Sequence, residues 1–189
     1  MGVLDEGERI SAADAARWRA WLEENHTRTA GVWLLNVRGA AVDGVSYEDA
    51  ARQALCFGWI DGPVRTFDDG SNGQWFSPRR SGSGWAATNK ARLVDLEAAG
   101  LLAPAGIRVL EKARQDGSWT MLDGPEAGIE PPELTAALDA VPAARAHWDA
   151  FPKSVKKLGL TNIAMAKRDE TRAARIAKIV ADAAEGKRP

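Results

Sequence analysis

The sequence is poor in the residues that carry covalent and metal chemistry. It has 1 Cys, Cys56, so neither an internal disulfide nor a cysteine-based zinc site can form. Its 2 histidines, His26 and His147, leave little for imidazole ligation or acid–base work. The patterns H-E-x-x-H, G-x-S-x-G, the P-loop and a G-x-G-x-x-G in a strand–helix setting are all missing. No metal and no cofactor is therefore expected. No run of 18 apolar residues occurs, which excludes a membrane-spanning helix. The first eight residues lack the basic-then-apolar order of a secretory signal, so the expected location is the cytoplasm. Charge of one sign is also scarce: 25 basic and 26 acidic residues leave a net −1.

What is present is tryptophan. There are 8 Trp against 1 Tyr, and each indole is a large apolar body with one N–H that needs an acceptor. The charge is unevenly spread. Residues 131–189 hold 11 basic and 7 acidic groups, whereas residues 1–60 hold 6 and 9. A basic C-terminal third is either a solvated helix face or a contact for an anionic partner. Its cations include Lys153, Lys156, Lys157, Lys167, Arg168, Arg172, Arg175 and Lys178. No aromatic residue follows Phe151, and nucleic-acid binding, which wants interleaved aromatics, is not expected.

Periodicity and punctuation predict the elements. Ser11 is a plausible cap for a helix over 12–25, with Ala15, Trp18 and Leu22 at helical spacing. Residues 31–37 read as a strand, and 46–56 as a helix ended by Gly58. Two aromatic-rich runs around the turn-rich 68–73 read as a β-hairpin, with Pro63 and Pro78 placing its strands at edges or ending them. Helices follow over 89–99, 104–115, from 131, over 142–150, 153–166 and 169–184, with 120–130 a loop. The fold expected is a mainly helical α+β single domain over 9–185. It has a small antiparallel sheet of about three strands wrapped by about seven helices. Residues 1–8 and 186–189 are expected to fray.

Three blocks are specific. Residues 54–62 read Ala-Leu-Cys-Phe-Gly-Trp-Ile-Asp-Gly. Residues 76–85 read Phe-Ser-Pro-Arg-Arg-Ser-Gly-Ser-Gly-Trp, followed by Asn89-Lys90. Residues 166–176 read Ala-Lys-Arg-Asp-Glu-Thr-Arg-Ala-Ala-Arg-Ile. In this order, from about Trp18 to Ala184, they resemble the YdeI/OmpD-associated, or bacteriocin-protection, family. The chain departs from the family pattern at Ala86, Ala103 and Asp169, where Ser, Thr and Pro are usual. The resemblance implies resistance to bacteriocins or antimicrobial peptides and an association with an outer-membrane porin. It brings no established reaction.

The residues themselves suggest a binding site around the hairpin. Arg79 and Arg80 make a fork for a carboxylate or phosphate. Ser83 and the glycines around it lead into a helix start that suits an anion. Asp61 and Asn89 add polar groups, and Trp59, Trp75 and Trp85 supply flat walls or a cation–π face. The first reading is a stress or resistance protein that binds a small anionic molecule or peptide terminus there. The second is a cofactor-free enzyme with Asp61 as acid or base. The third is a protein–protein module whose Arg168, Arg172 and Arg175 meet an acidic partner. Each residue also has a structural alternative: ion-pair hub for the arginines, core for the tryptophans, cap for Asp61 and Asn89.

Overall fold

The computed structural model describes residues 4, 7–36 and 44–189. Among these described residues are nine helices and four strands, a mainly helical α+β fold. The chain divides into two compact units, Met1–Gly82 with Thr88–Asp116, and Ser83–Ala87 with Gly117–Pro189.

The first unit is built on a sheet. Strand β1 (Glu8–Ser11) runs parallel to β2 (Val32–Leu35). β2 lies antiparallel to β4 (Asn72–Pro78), and β4 to β3 (Trp59–Thr66), in the order β1-β2-β4-β3. The sheet is thus four-stranded and mixed, where about three antiparallel strands are expected from sequence. β1 is the addition, and it displaces the expected Ser11 cap. Ser11 ends β1, and α1 (Ala15–Asn25) is capped instead by Asp14, which accepts the Arg17 N–H at 2.8 Å. The hairpin forms as expected: β3 is the edge strand, with Pro63 inside a register shift between Asp61 and Val64, and Pro78 ends β4. The expected strand 31–37 runs partly outside the described residues at Val37, as does part of the expected fraying at 1–8.

Side chains alternate across a strand, and the pairing sorts them onto two faces. Val32, Phe76 and Trp59 face α1 and α2 (Tyr47–Cys56). There the Trp18 ring lies 5.4 Å from Phe76, and its indole N–H donates to the Ala50 carbonyl at 3.0 Å. The other face gathers Trp33, Phe67 and Trp75 into a separate cluster, with the Arg9 guanidinium 3.7 Å from the Phe67 ring centroid. Two helices follow, α3 (Ala87–Ala98) and α4 (Pro104–Gln115), the latter with Pro104 at its first position.

The second unit is helical: α5 (Asp123–Ala127), α6 (Pro132–Asp139), α7 (Pro142–Ala150), α8 (Lys153–Ala164) and α9 (Asp169–Ala184). The short α5 lies inside the expected 120–130 loop and ends on Gly128 in the left-handed region. The Ile176, Ile179, Ala183 stripe of α9 packs on Leu134, Leu138, Trp148 and Ile163. A polar knot is attached to this core. Arg145 forks onto Glu130 at 2.7 and 2.9 Å, and the Trp148 indole donates to the same carboxylate at 2.8 Å. These donors, Arg145 first, hold the Glu130 pKa below its ordinary 4.5. The ion pair therefore stabilises the fold above that value, and the contribution is lost as pH falls through the lower folded value. Glu130→Gln is expected to cost about 1–3 kcal/mol near neutrality and to flatten the acid limb. Urea midpoints at neutral pH and at about pH 3.5 check this; an acid limb as steep as the parent's contradicts it.

Candidate functional site

In the first unit, polar groups from α2, β3, the end of β4 and α3 meet. Ser46 caps α2 by accepting the Asp49 N–H at 3.1 Å, which sets Tyr47 and Glu48 in the first turn. The Tyr47 hydroxyl donates to Asp61 Oδ2 at 2.9 Å. From α3, Arg92 donates through Nη1 to Asn89 Oδ1 at 2.7 Å, and through Nε and Nη2 to the Glu48 carboxylate at 3.0 and 2.6 Å. The same guanidinium carbon lies 5.6 Å from the Tyr47 ring centroid. Arg79 follows β4 directly, its backbone N–H donating to the Gly58 carbonyl at 3.0 Å.

The electrostatics follow from burial. Arg79 is 8% exposed, and burial pulls its pKa down to about 10, with the Asp61 charge working in the opposite direction. Burial first, then the Asp61 hydrogen bond, raises the Tyr47 pKa, so the phenol stays a donor. The Arg92 fork lowers Glu48 and is itself raised by it. The cluster thus holds two guanidiniums, one deep and one half-buried, with Asp61 and Glu48 set by directed hydrogen bonds. Such an array can grip planar oxyanions.

Of the residues expected from sequence, Asp61, Arg79 and Asn89 belong to this cluster. Arg80 is exposed. Trp59 is 1% exposed, donates its indole N–H to the His26 carbonyl at 3.1 Å, and meets the Trp21 ring edge-on. Trp75 packs on Trp33 on the sheet face opposite Asp61, because Asp61 pairs with Phe76 and Trp75 is its neighbour in the strand. Ser83 and Trp85 lie in the second unit, where the buried Trp85 ring is 5.4 Å from Trp119. Also in that unit, Arg172 donates to Glu133 at 3.4 Å and Arg175 to the Asn162 carbonyl, while Arg168 sits at the start of α9. Tyr47, Glu48 and Arg92 are functional candidates that the sequence reading misses. Their available signals were the sole tyrosine opening a helix and the three-residue spacing of Asn89 and Arg92.

Among the described residues no group of three His, Cys, Asp or Glu side chains is placed to hold a metal. No described helix is long and apolar enough to cross a membrane.

Comparison with known proteins separates the two halves of the sequence. Residues 10–109, which contain the 54–62 and 76–85 blocks, match a family described as a domain of unknown function (DUF8412). Residues 128–186, which contain the 166–176 block, match the family described as bacteriocin-protection, YdeI or OmpD-associated. No curated protein and no solved structure matches the chain. The chain belongs to the family described as a domain of unknown function (DUF8412), whose model covers residues 10–109, and its residues 128–186 are similar to the bacteriocin-protection, YdeI or OmpD-associated family.

Proposed function

We propose that the protein is a ligand-binding resistance protein that takes a small anionic molecule, or the carboxyl end of a peptide, at the Arg79 cluster. The observation that carries this reading is the buried guanidinium itself. Burial disfavours the charged form of Arg79, and Asp61 offsets that only in part. An incoming carboxylate or phosphate adds negative charge where the surroundings are least polar and Coulomb attraction is strongest. The Tyr47 hydroxyl holds Asp61 in place, and its charge acts on the Arg79 guanidinium. Asn89 orients Arg92, and Glu48 anchors it, as a second and more accessible cation.

Calorimetric titration of small carboxylates, phosphates and short peptides tests the reading, with tryptophan fluorescence alongside. Arg79→Ala is expected to abolish binding. Arg79→Lys keeps the charge and loses the fork, and is expected to weaken binding at least about tenfold. Arg80→Ala, on an exposed side chain, is expected to change little. Binding by a folded Arg79→Ala variant at parental affinity would refute the site, as would a parent protein that binds none of these anions.

A further inference from the structure

The second unit contains a cleft of about 360 Å³ between α5 and the first turns of α8. Its apolar lining comes from Pro125, Ala127 and Leu160, with the indole of Trp148 beside them. Along the α8 wall stand Lys153, Lys156 and Lys157. A volume in this range is that of a small-molecule site.

These lysines are placed against two rules of helix electrostatics. They occupy positions i, i+3 and i+4, so three like charges share one face. Lys153 also opens the first turn, with Lys156 at its end, where the positive end of the helix dipole disfavours cations. α8 has no acidic residue in its first turn, and among the described residues no side chain caps it.

The acids in the cleft relieve this at Lys157 but not at Lys153 and Lys156. Glu126 pairs with Lys157 at 2.5 Å. Glu130 is already held by the Arg145 fork and the Trp148 indole. Asp149, nearby on α7, is engaged by Arg145 and offers Lys156 only its backbone carbonyl, at 3.3 Å. Among the described residues, no ion pair involves Lys153 or Lys156. A local arrangement that opposes its own helix, beside a formed cleft, is where a functional site is expected.

The geometry points to this cleft as a second binding site, one that takes an oxyanion head, phosphate or carboxylate, carried on a compact apolar body. The head sits at Lys153 and Lys156 and supplies the negative charge that the start of α8 lacks. The body lies against Pro125, Ala127 and Leu160. The site is independent of the Arg79 cluster, and all its residues lie within the second unit.

Calorimetry on the full chain with four probes tests it: phenyl phosphate, benzoate, inorganic phosphate and phenol. At least one of the two organic anions binds, at least about tenfold more tightly than inorganic phosphate or phenol, and more weakly as salt is raised. Binding of only one of them identifies the head and supports the site. The double variant Lys153→Gln/Lys156→Gln loses at least about tenfold in affinity for that anion. Without ligand, its urea midpoint rises, because the repulsion is gone. Ser154→Asp places an acid at the second position of α8; it likewise raises the midpoint and weakens binding. Arg79→Ala leaves this binding intact, which separates its outcome from that of the first site. The inference is overturned if neither organic anion binds the parent, if the double variant binds at full affinity, or if removing the lysines lowers the midpoint.

Discussion

Trp148→Ala is expected to lower stability by about 3–5 kcal/mol, the largest loss from a single truncation in the second unit. Trp148 is 0% exposed and belongs to the core formed by Leu134, Leu138, Ala144, Leu160, Ile163 and Ile179. The ring lies close to the α8 backbone: a side-chain carbon added at Gly159 would be only 3.2 Å from it. A helix backbone cannot slump inward to fill the void that alanine leaves, so a cavity term adds to the lost transfer energy. The indole N–H is the smaller part. Its bond to Glu130 is one of several that carboxylate accepts, and losing it costs about 0.5–1.5 kcal/mol. Trp148→Phe separates the two contributions, since it keeps most of the ring and removes the donor. It is expected to cost about 1–2 kcal/mol. Urea unfolding with an unchanged slope is the measurement. An alanine variant no less stable than the phenylalanine variant would refute the dominance of packing.

Such a core is legible in the sequence because local signals coincide there. Pro104, Pro132 and Pro142 each stand at the first position of a helix. The stripe of α9 repeats at helical spacing and is the buried face. The hairpin was legible from its turn-rich hexapeptide. β1 was not. Its four residues, Glu8–Ser11, have no buried member, and they form a strand only through parallel pairing with β2, twenty-four residues away in register. α5 is too short to show a period.

The candidate site divides the same way. Asp61, Arg79 and Asn89 stand out as polar groups among glycines and aromatics. Tyr47 and Arg92 look like an ordinary helix opener and an ordinary helix-surface cation. Their meeting depends on how α3 lies beside α2, joined by the Arg92–Glu48 and Arg52–Asp95 pairs, which no local pattern encodes. Trp75 illustrates the reverse. Alternation along β4 separates it from Phe76, but which of the two shares a face with Asp61 depends on the pairing across the hairpin. Gln74 shows the same dependence: its side-chain amide donates to the Gly62 carbonyl at 2.6 Å across that irregular pairing, a role its polarity alone does not suggest.

Gly106→Ala is the sharpest test of packing against local propensity. Gly106 lies inside α4, where alanine is favoured over glycine by about 0.8–1.0 kcal/mol. Propensity alone predicts a more stable protein. The surroundings predict the opposite. A β-carbon there would overlap the Cys56 carbonyl oxygen and lie 2.8 Å from its carbon and 3.1 Å from the Leu55 oxygen. These are backbone atoms at the end of α2, with no rotamer to move. The Cys56 carbonyl is also held in place, because it accepts the Ala103 N–H at 3.0 Å. On the α2 side, Gly58 has φ +75°, and a β-carbon there would come within 2.6 Å of Val109. The end of α2 and the loop after it both lie against α4 at a glycine, and adding a methyl at Gly106 pushes α4 off α2. Overpacking of this kind costs about 1–3 kcal/mol, and more against rigid backbone. An overpacking cost of about 3 kcal/mol against this rigid backbone outweighs the propensity gain of about 1 kcal/mol, for an expected net loss of about 2 kcal/mol. Gly124→Ala is the control. That glycine lies in α5, and a β-carbon there meets nothing within 4 Å. The same substitution is expected to be neutral or to stabilise by up to about 1 kcal/mol. Urea midpoints that move in opposite directions establish the close crossing of α2 and α4, whereas a Gly106→Ala variant at least as stable as the parent would refute it.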